Sequence, residues 1–241
     1  MDAAIKKHGG TTANHMVGVL SHAYTKAIEW GQCRDHPIKG KVIKRKVIVK
    51  RRVPEMHHIE AAMSILTDKQ GMLRHYIELK LMTGLRMTDM LSLRRSDIKP
   101  DGLHVTPSKT ANSTGKSLIF EYDDNNVLWG TLESIKGYSK YIKSIYLFSN
   151  GKGQPYINLD ADSANYKSCN GFQSMWQRWQ NKALKTGVLE WKFSEKSIRN
   201  RVGSDSSTAE EAAERLGHSS TATTRKHYRN SPSKVQPMVK K

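Results

Sequence analysis

Cysteine is almost missing from this chain of 241 residues. Only Cys33 and Cys169 are present and no CxxC pair occurs, so the sequence suggests neither a disulfide framework nor a zinc site, and a reducing cytoplasm fits best. No apolar run approaches the roughly 18 residues of a membrane span. The start, Met1-Asp2-Ala3-Ala4-Ile5-Lys6-Lys7, lacks the apolar centre of a signal peptide. Internal repeats and glycine-rich nucleotide-binding loops are absent as well. Acidic residues are scarce, with 22 Asp plus Glu against 40 Lys plus Arg, giving a formal net charge of +18 and a pI near 9.9. A field of that sign points to a polyanionic partner.

The length is enough for one large or two small domains with a real hydrophobic core. From Thr12 to Trp30, the residues Met16, Val19, Leu20, Ala23, Ala27 and Trp30 recur at helical spacing and Gly31 follows as a stop, which predicts a helix with one apolar face. The stretch from Lys39 to Arg52 carries eight basic residues in fourteen and no acidic one, and Pro54 comes just after it. It reads as an extended basic linker whose Lys44, Arg45, Lys46, Lys50, Arg51 and Arg52 track phosphates. A solvated strand edge blunted by lysines is the other reading. The expected division is 1–47 and 48–241, with the boundary between about 45 and 53.

Beyond Pro54, Ile59, Ala62, Met63 and Leu66 mark a helix. Met72 to Met82 forms a second, largely buried helix that stops at Thr83-Gly84, and Met87 to Leu93 a short third. Lys99-Pro100-Asp101-Gly102 is turn chemistry, followed by a hairpin of Leu103–Pro107 and Ser117–Tyr122 around the loop Ser108 to Lys116, with Pro107 arguing for an edge strand. Residues 127–146 are weakly helical, 149–155 form a glycine-rich turn, and Phe172 to Leu184 put Trp176, Trp179 and Ala183 on a core-facing helical side. Ser207-Thr208-Ala209-Glu210 reads as a capping box opening a helix with Ala209, Ala212, Ala213 and Leu216 on one face and Gly217 as its stop. The tail from Arg229 to Lys241 has too few apolar residues to pack by itself. The expected fold class is mainly α with a small antiparallel hairpin, α+β.

Four separated pieces then stand in order: Thr83-Gly84-Leu85-Arg86-Met87-Thr88-Asp89, Ser108-Lys109-Thr110, Lys196-Ser197-Ile198-Arg199, and Leu216-Gly217-His218 with Tyr228 ten residues on. Over about residues 54–230 this resembles the catalytic domain of the tyrosine recombinases, the phage-integrase family. Residues 12–31 are similar to the last helix of that family's core-binding domain, so the chain is expected to begin partway through it. Two features depart from the commoner pattern: the box opens with Lys196 where histidine is usual, and the interval from His218 to Tyr228 is one residue longer.

The resemblance implies that Tyr228 attacks a DNA phosphodiester, leaving a 3′-phosphotyrosyl link and a free 5′ hydroxyl. Arg86 and Arg199 would present planar forks of donors to the phosphate oxygens, where charge grows in the transition state, and His218 would add a hydrogen bond. Lys109 would protonate the departing 5′ oxygen. Lys196 would either assist proton transfer or bind phosphate, and Asp89 would orient the cations. No metal or ATP is implied. The expected activity is site-specific recombination or integration of double-stranded DNA by a homotetramer on paired DNA sites, in a cytoplasmic, nucleoid-associated setting of prokaryotic or phage origin. A type IB topoisomerase-like enzyme, or a non-catalytic DNA-binding remnant, is the alternative.

Overall fold

The computed structural model describes residues 2–47, 52–108, 115, 117–138, 143–160, 162, 166–218, 221–222 and 224. The chain divides into two compact units, Met1–Arg51 and Arg52–Lys241.

The first unit holds helices α1 (Asp2–His8) and α2 (Gly10–Glu29), separated by Gly9 at φ 80°. The basic stretch returns along α2. The Asn14 amide donates to the Arg45 carbonyl at 2.8 Å and its oxygen accepts the Arg45 N–H at 2.9 Å, while the Arg45 guanidinium pairs with Asp2 at 3.0 Å. Of the apolar positions on α2 only Ala13 is fully buried, and Val19, Leu20 and Trp30 are exposed.

In the second unit, α3 (Met56–Ser64) opens with reciprocal capping between Glu55 and His58. Helix α4 (Gly71–Thr83) buries Leu73, Tyr76, Ile77 and Leu79 and ends at Gly84. Helix α5 (Met87–Ser92) leads to strands β1 (Ile98–Lys99), β2 (Gly102–Val105) and β3 (Leu118–Glu121), then to α6 (Val127–Tyr138), α7 (Asn170–Lys185), α8 (Glu195–Asp205) and α9 (Ala209–Arg215). The strands form an antiparallel sheet in the order β1-β2-β3, with Ile98 opposite Leu103 and His104 opposite Ile119. No described helix is long and apolar enough to cross a membrane.

An aromatic cluster of Tyr76, Phe148, Phe172, Trp176, Trp179 and Phe193 fills the centre. Both indole N–H groups are satisfied, Trp179 by the Ala62 carbonyl at 2.8 Å and Trp176 by that of Phe193 at 3.2 Å. Each large apolar side chain buried there contributes about 1.5–3 kcal/mol of transfer free energy, so α7 is fixed against α3 and α4 by packing, in keeping with its tryptophan spacing.

Three local expectations need correction. The pattern at 99–102 indicates a turn alone, whereas Ile98–Lys99 is a strand that makes β2 the central one, and Pro107 lies beyond the β2 ladder, where a missing N–H costs nothing. The cap sits one residue later: Thr208 accepts the Glu211 N–H at 3.0 Å, and the Glu211 carboxylate accepts the N–H of Ser207, the residue before the cap, at 2.8 Å. Helix α8 has no counterpart among the expected elements, because its apolar residues are too few to show a period.

Candidate active site

Gly84 decides where the first arginine goes. It adopts φ +62°, which favours glycine, and a Cβ there would come within 2.7 Å of Leu216 Cδ2 and 3.0 Å of Val202 Cγ1. The end of α4 therefore touches both α8, which carries Val202, and the C-terminal cap of α9. Arg86 follows as the N-cap residue of α5, with its side chain 22% exposed.

Arg199 extends from α8 into that junction and is 2% exposed. Its Nη1 donates to the Gly84 carbonyl at 2.5 Å, and its Nη2 donates to the Leu216 carbonyl at 2.7 Å and to His218 Nε2 at 3.0 Å. Of the five N–H donors in a guanidinium, three go to these acceptors. Because His218 Nε2 accepts from a cation, the ring proton belongs on Nδ1, which donates to Thr224 Oγ1 at 2.7 Å. His218 owes its position to the helix stop: Gly217 turns at φ +61° and the His218 N–H bonds back to the Ala213 carbonyl at 2.8 Å.

Asp89 is buried one turn after Arg86. Its Oδ1 accepts the Ser108 N–H at 2.9 Å and its Oδ2 faces Arg86 Nη1 at 3.9 Å, a charge contact longer than a hydrogen bond. Lys196 is exposed and borders a cavity of about 220 Å³ with Met87, Gln173, Gln177 and Glu195. Lys109 and Tyr228, and Lys50 and Arg51 of the linker, lie outside the described residues. Lys44 and Lys46 are exposed, Arg45 is paired with Asp2, and the Arg52 guanidinium lies 4.2 Å over the Trp191 ring.

Three further ionisable groups, Lys80, Glu195 and Tyr76, are joined to one another beside the turn before Arg86. Lys80 on α4 is fully buried; its ammonium donates to the Leu85 carbonyl and pairs with Glu195, the first residue of α8. Glu195 also accepts the Tyr76 hydroxyl at 2.6 Å. Burial draws the Lys80 amine below its ordinary range, against the opposing pull of Glu195, while burial and then the Glu195 charge push the Tyr76 phenol well up. The available signal was a lysine inside the otherwise apolar run Leu79-Lys80-Leu81-Met82.

The architecture is that of the tyrosine-recombinase catalytic fold. A lambda integrase tetramer bound to a Holliday junction matches 99% of this chain and 65% of its own, at 17% identity and a TM-score of 0.75. A lambda integrase (75–356) dimer bound to a COC′ core site matches 99% and 80%, at 18% identity and 0.74. The Tn1549 transposon integrase (82–397, Y379F) in complex with transposon right-end DNA matches 95% and 79%, at 16% identity and 0.71. The chain thus spans about two thirds of the length of the lambda integrase chain in the tetramer. The sequence itself matches no protein-family model and no curated protein.

Proposed function

We propose that the chain is a site-specific DNA strand transferase, a recombinase or integrase that cuts and rejoins duplex DNA through a 3′-phosphotyrosyl intermediate. The observation that carries this reading is the knot at Arg199: one buried guanidinium, itself in the Lys196–Arg199 box, joins the turn before Arg86 to the Leu216 carbonyl and His218, and so brings three of the four motif pieces together. The DNA-bound state of the integrases with this fold supports the choice of substrate.

In this mechanism the Tyr228 oxygen attacks the scissile phosphorus and gives its proton to solvent, the P–O5′ bond breaks, and Lys109 protonates the departing 5′ oxygen and is reprotonated from solvent. Arg86 offers donors to the non-bridging oxygens from the exposed side. Arg199 and His218 form the floor, and His218 donates to a phosphate oxygen once Nε2 has gained a proton and left Arg199, while Nδ1–H stays on Thr224. Lys196 serves in phosphate binding or proton transfer. The phosphotyrosyl bond conserves the energy of the broken phosphodiester, so a second 5′ hydroxyl reseals it without metal or ATP. The unit 1–51 acts as part of a core-binding domain and, with Lys44, Arg45, Lys46, Lys50, Arg51 and Arg52, tracks the DNA backbone. A homotetramer on two paired sites carries out the exchange, at the nucleoid in the cytoplasm.

The test is strand exchange on a site recovered by binding selection from a random duplex pool. Two duplexes carrying the selected site should yield recombinant products. Relaxation of a supercoiled plasmid lacking the site, without exchange, would contradict recombination and favour a type IB topoisomerase-like activity. Tight binding with no cleavage would favour a DNA-binding remnant.

A further inference from the structure

The turn Gly84-Leu85-Arg86 is held by two buried cations on successive carbonyls: Arg199 takes the Gly84 oxygen and Lys80 the Leu85 oxygen. These cations reach it from different helices. Glu195 neutralises Lys80 and lies one turn before Arg199 on α8, so the i and i+4 positions of that helix both address the turn. Lys196 comes next in sequence after Glu195, and it lines a cavity with Met87, the residue after Arg86. The Tyr76 hydroxyl fills a second lone pair of the carboxylate.

Stability alone does not explain this arrangement. Removing an ammonium and a carboxylate from water costs several kcal/mol for each ion, and a well-packed apolar pair in place of such ions is often as stable or more so. Position 80 is flanked by Leu79, Leu81 and Met82, where an apolar side chain would suit the helix. What an apolar residue could not supply is a donor for the Leu85 carbonyl and a fixed length between that carbonyl and α8.

We propose that Lys80 and Glu195 are positioning residues: the buried pair fixes the Gly84-Leu85-Arg86 turn against α8 and thereby sets where the Arg86 guanidinium stands relative to Arg199 and Lys196. The proposal rests on the strand-transferase reading, since it concerns how that site is held. It goes beyond the motif residues because neither Lys80 nor Glu195 touches the scissile phosphate.

The experiment compares the wild type, Lys80→Met, and the paired change Lys80→Met/Glu195→Gln, which removes both charges but leaves an acceptor for Tyr76. Melting temperature, DNA affinity and the rate of covalent adduct formation on a nicked duplex are measured for each. The paired variant should melt closer to the wild type than Lys80→Met does, because it leaves no charge buried alone, and bind DNA equally well, yet form adduct about 10- to 100-fold more slowly, the loss expected of a reacting group displaced by about 1 Å. In an Arg86→Lys background the paired change should slow the reaction much less, because Lys80 acts through Arg86. A paired variant whose rate returns to that of the wild type together with its melting temperature would show a merely structural pair and overturn the proposal. So would an undiminished effect in the Arg86→Lys background. A wild-type chain that forms no adduct on the selected site would overturn the strand-transferase reading itself, and the proposal with it.

Discussion

Asp89 and Ser108 are joined across the site: the carboxylate that faces Arg86 accepts the backbone N–H of Ser108 at 2.9 Å. Ser108 is the residue before Lys109, so one buried side chain ties the arginine turn to the approach of the hairpin loop.

Asp89→Ala leaves the Ser108 N–H without its acceptor, at a cost of about 1–3 kcal/mol, and also removes the charge beside Arg86. Asp89→Asn keeps an acceptor oxygen and loses only the charge. Adduct formation should therefore fall for both and further for Ala, while DNA binding in a filter assay changes little. Equal rates for Ala and Asn would show that the Ser108 bond does not matter.

The cap of α9 predicts an acid-side stability change. The Ser207 N–H, assisted by Arg215 nearby, holds the Glu211 carboxyl below its ordinary range. A depressed carboxyl stabilises the fold above its unfolded pKa of about 4.3 and loses that contribution as pH falls through the lower folded value. Glu211→Gln should thus lower the melting temperature at neutral pH, and the difference from the wild type should shrink as pH drops below about 4. A difference independent of pH would assign the effect to packing. Glu211 is partly exposed, so the effect is small.

The linker residues should not contribute equally to DNA binding. Neutralising Lys44, Lys46, Lys50 and Arg51 should weaken binding to all sequences alike and flatten the plot of log affinity against log salt by about 0.9 for each phosphate that the linker ceases to neutralise. Arg45→Gln should do less, because Arg45 is already paired with Asp2. Arg52 stacks on Trp191, so its replacement should also cost stability. An unchanged salt slope in the fourfold variant would show that this stretch does not touch DNA.

Lys109 and Lys116 both fall between β2 and β3 in the sequence, and a 5′-bridging phosphorothiolate separates them as candidate acids, since a thiolate leaves without a proton. Lys109→Ala should cleave normal DNA about 10²- to 10⁴-fold more slowly and recover most of the rate on the sulfur substrate. Lys116→Ala should differ little from the wild type on both. Rescue that follows Lys116 or Lys196 instead would reassign the acid.

Much of this fold was legible because it rests on strong local signals. The apolar spacing of α4 and α7, the glycine stops at Gly84 and Gly217, and the Leu-Gly-His turn each depend on a few neighbouring residues. What escaped depends on distant partners. Strand β1 is two residues long and exists only because it pairs with β2; α8 spends its inward face on Arg199, Asn200 and Gly203 as well as apolar residues; and the Lys80–Glu195 pair joins positions 115 residues apart (195 − 80). The same holds at the site: the motifs point to Arg199 and His218, but not to His218 Nε2 as an acceptor from Arg199, nor to Thr224 as the partner of Nδ1.

The most direct test of the account is covalent trapping on a nicked suicide duplex carrying the selected site, with the wild type beside Tyr228→Phe. The wild type should yield a protein–DNA band that survives denaturant and a DNA-bearing peptide that contains Tyr228, while Tyr228→Phe should bind the duplex as tightly and yield no such band. A denaturant-resistant adduct in the Phe variant, or a DNA-bearing peptide that lacks Tyr228, would contradict it.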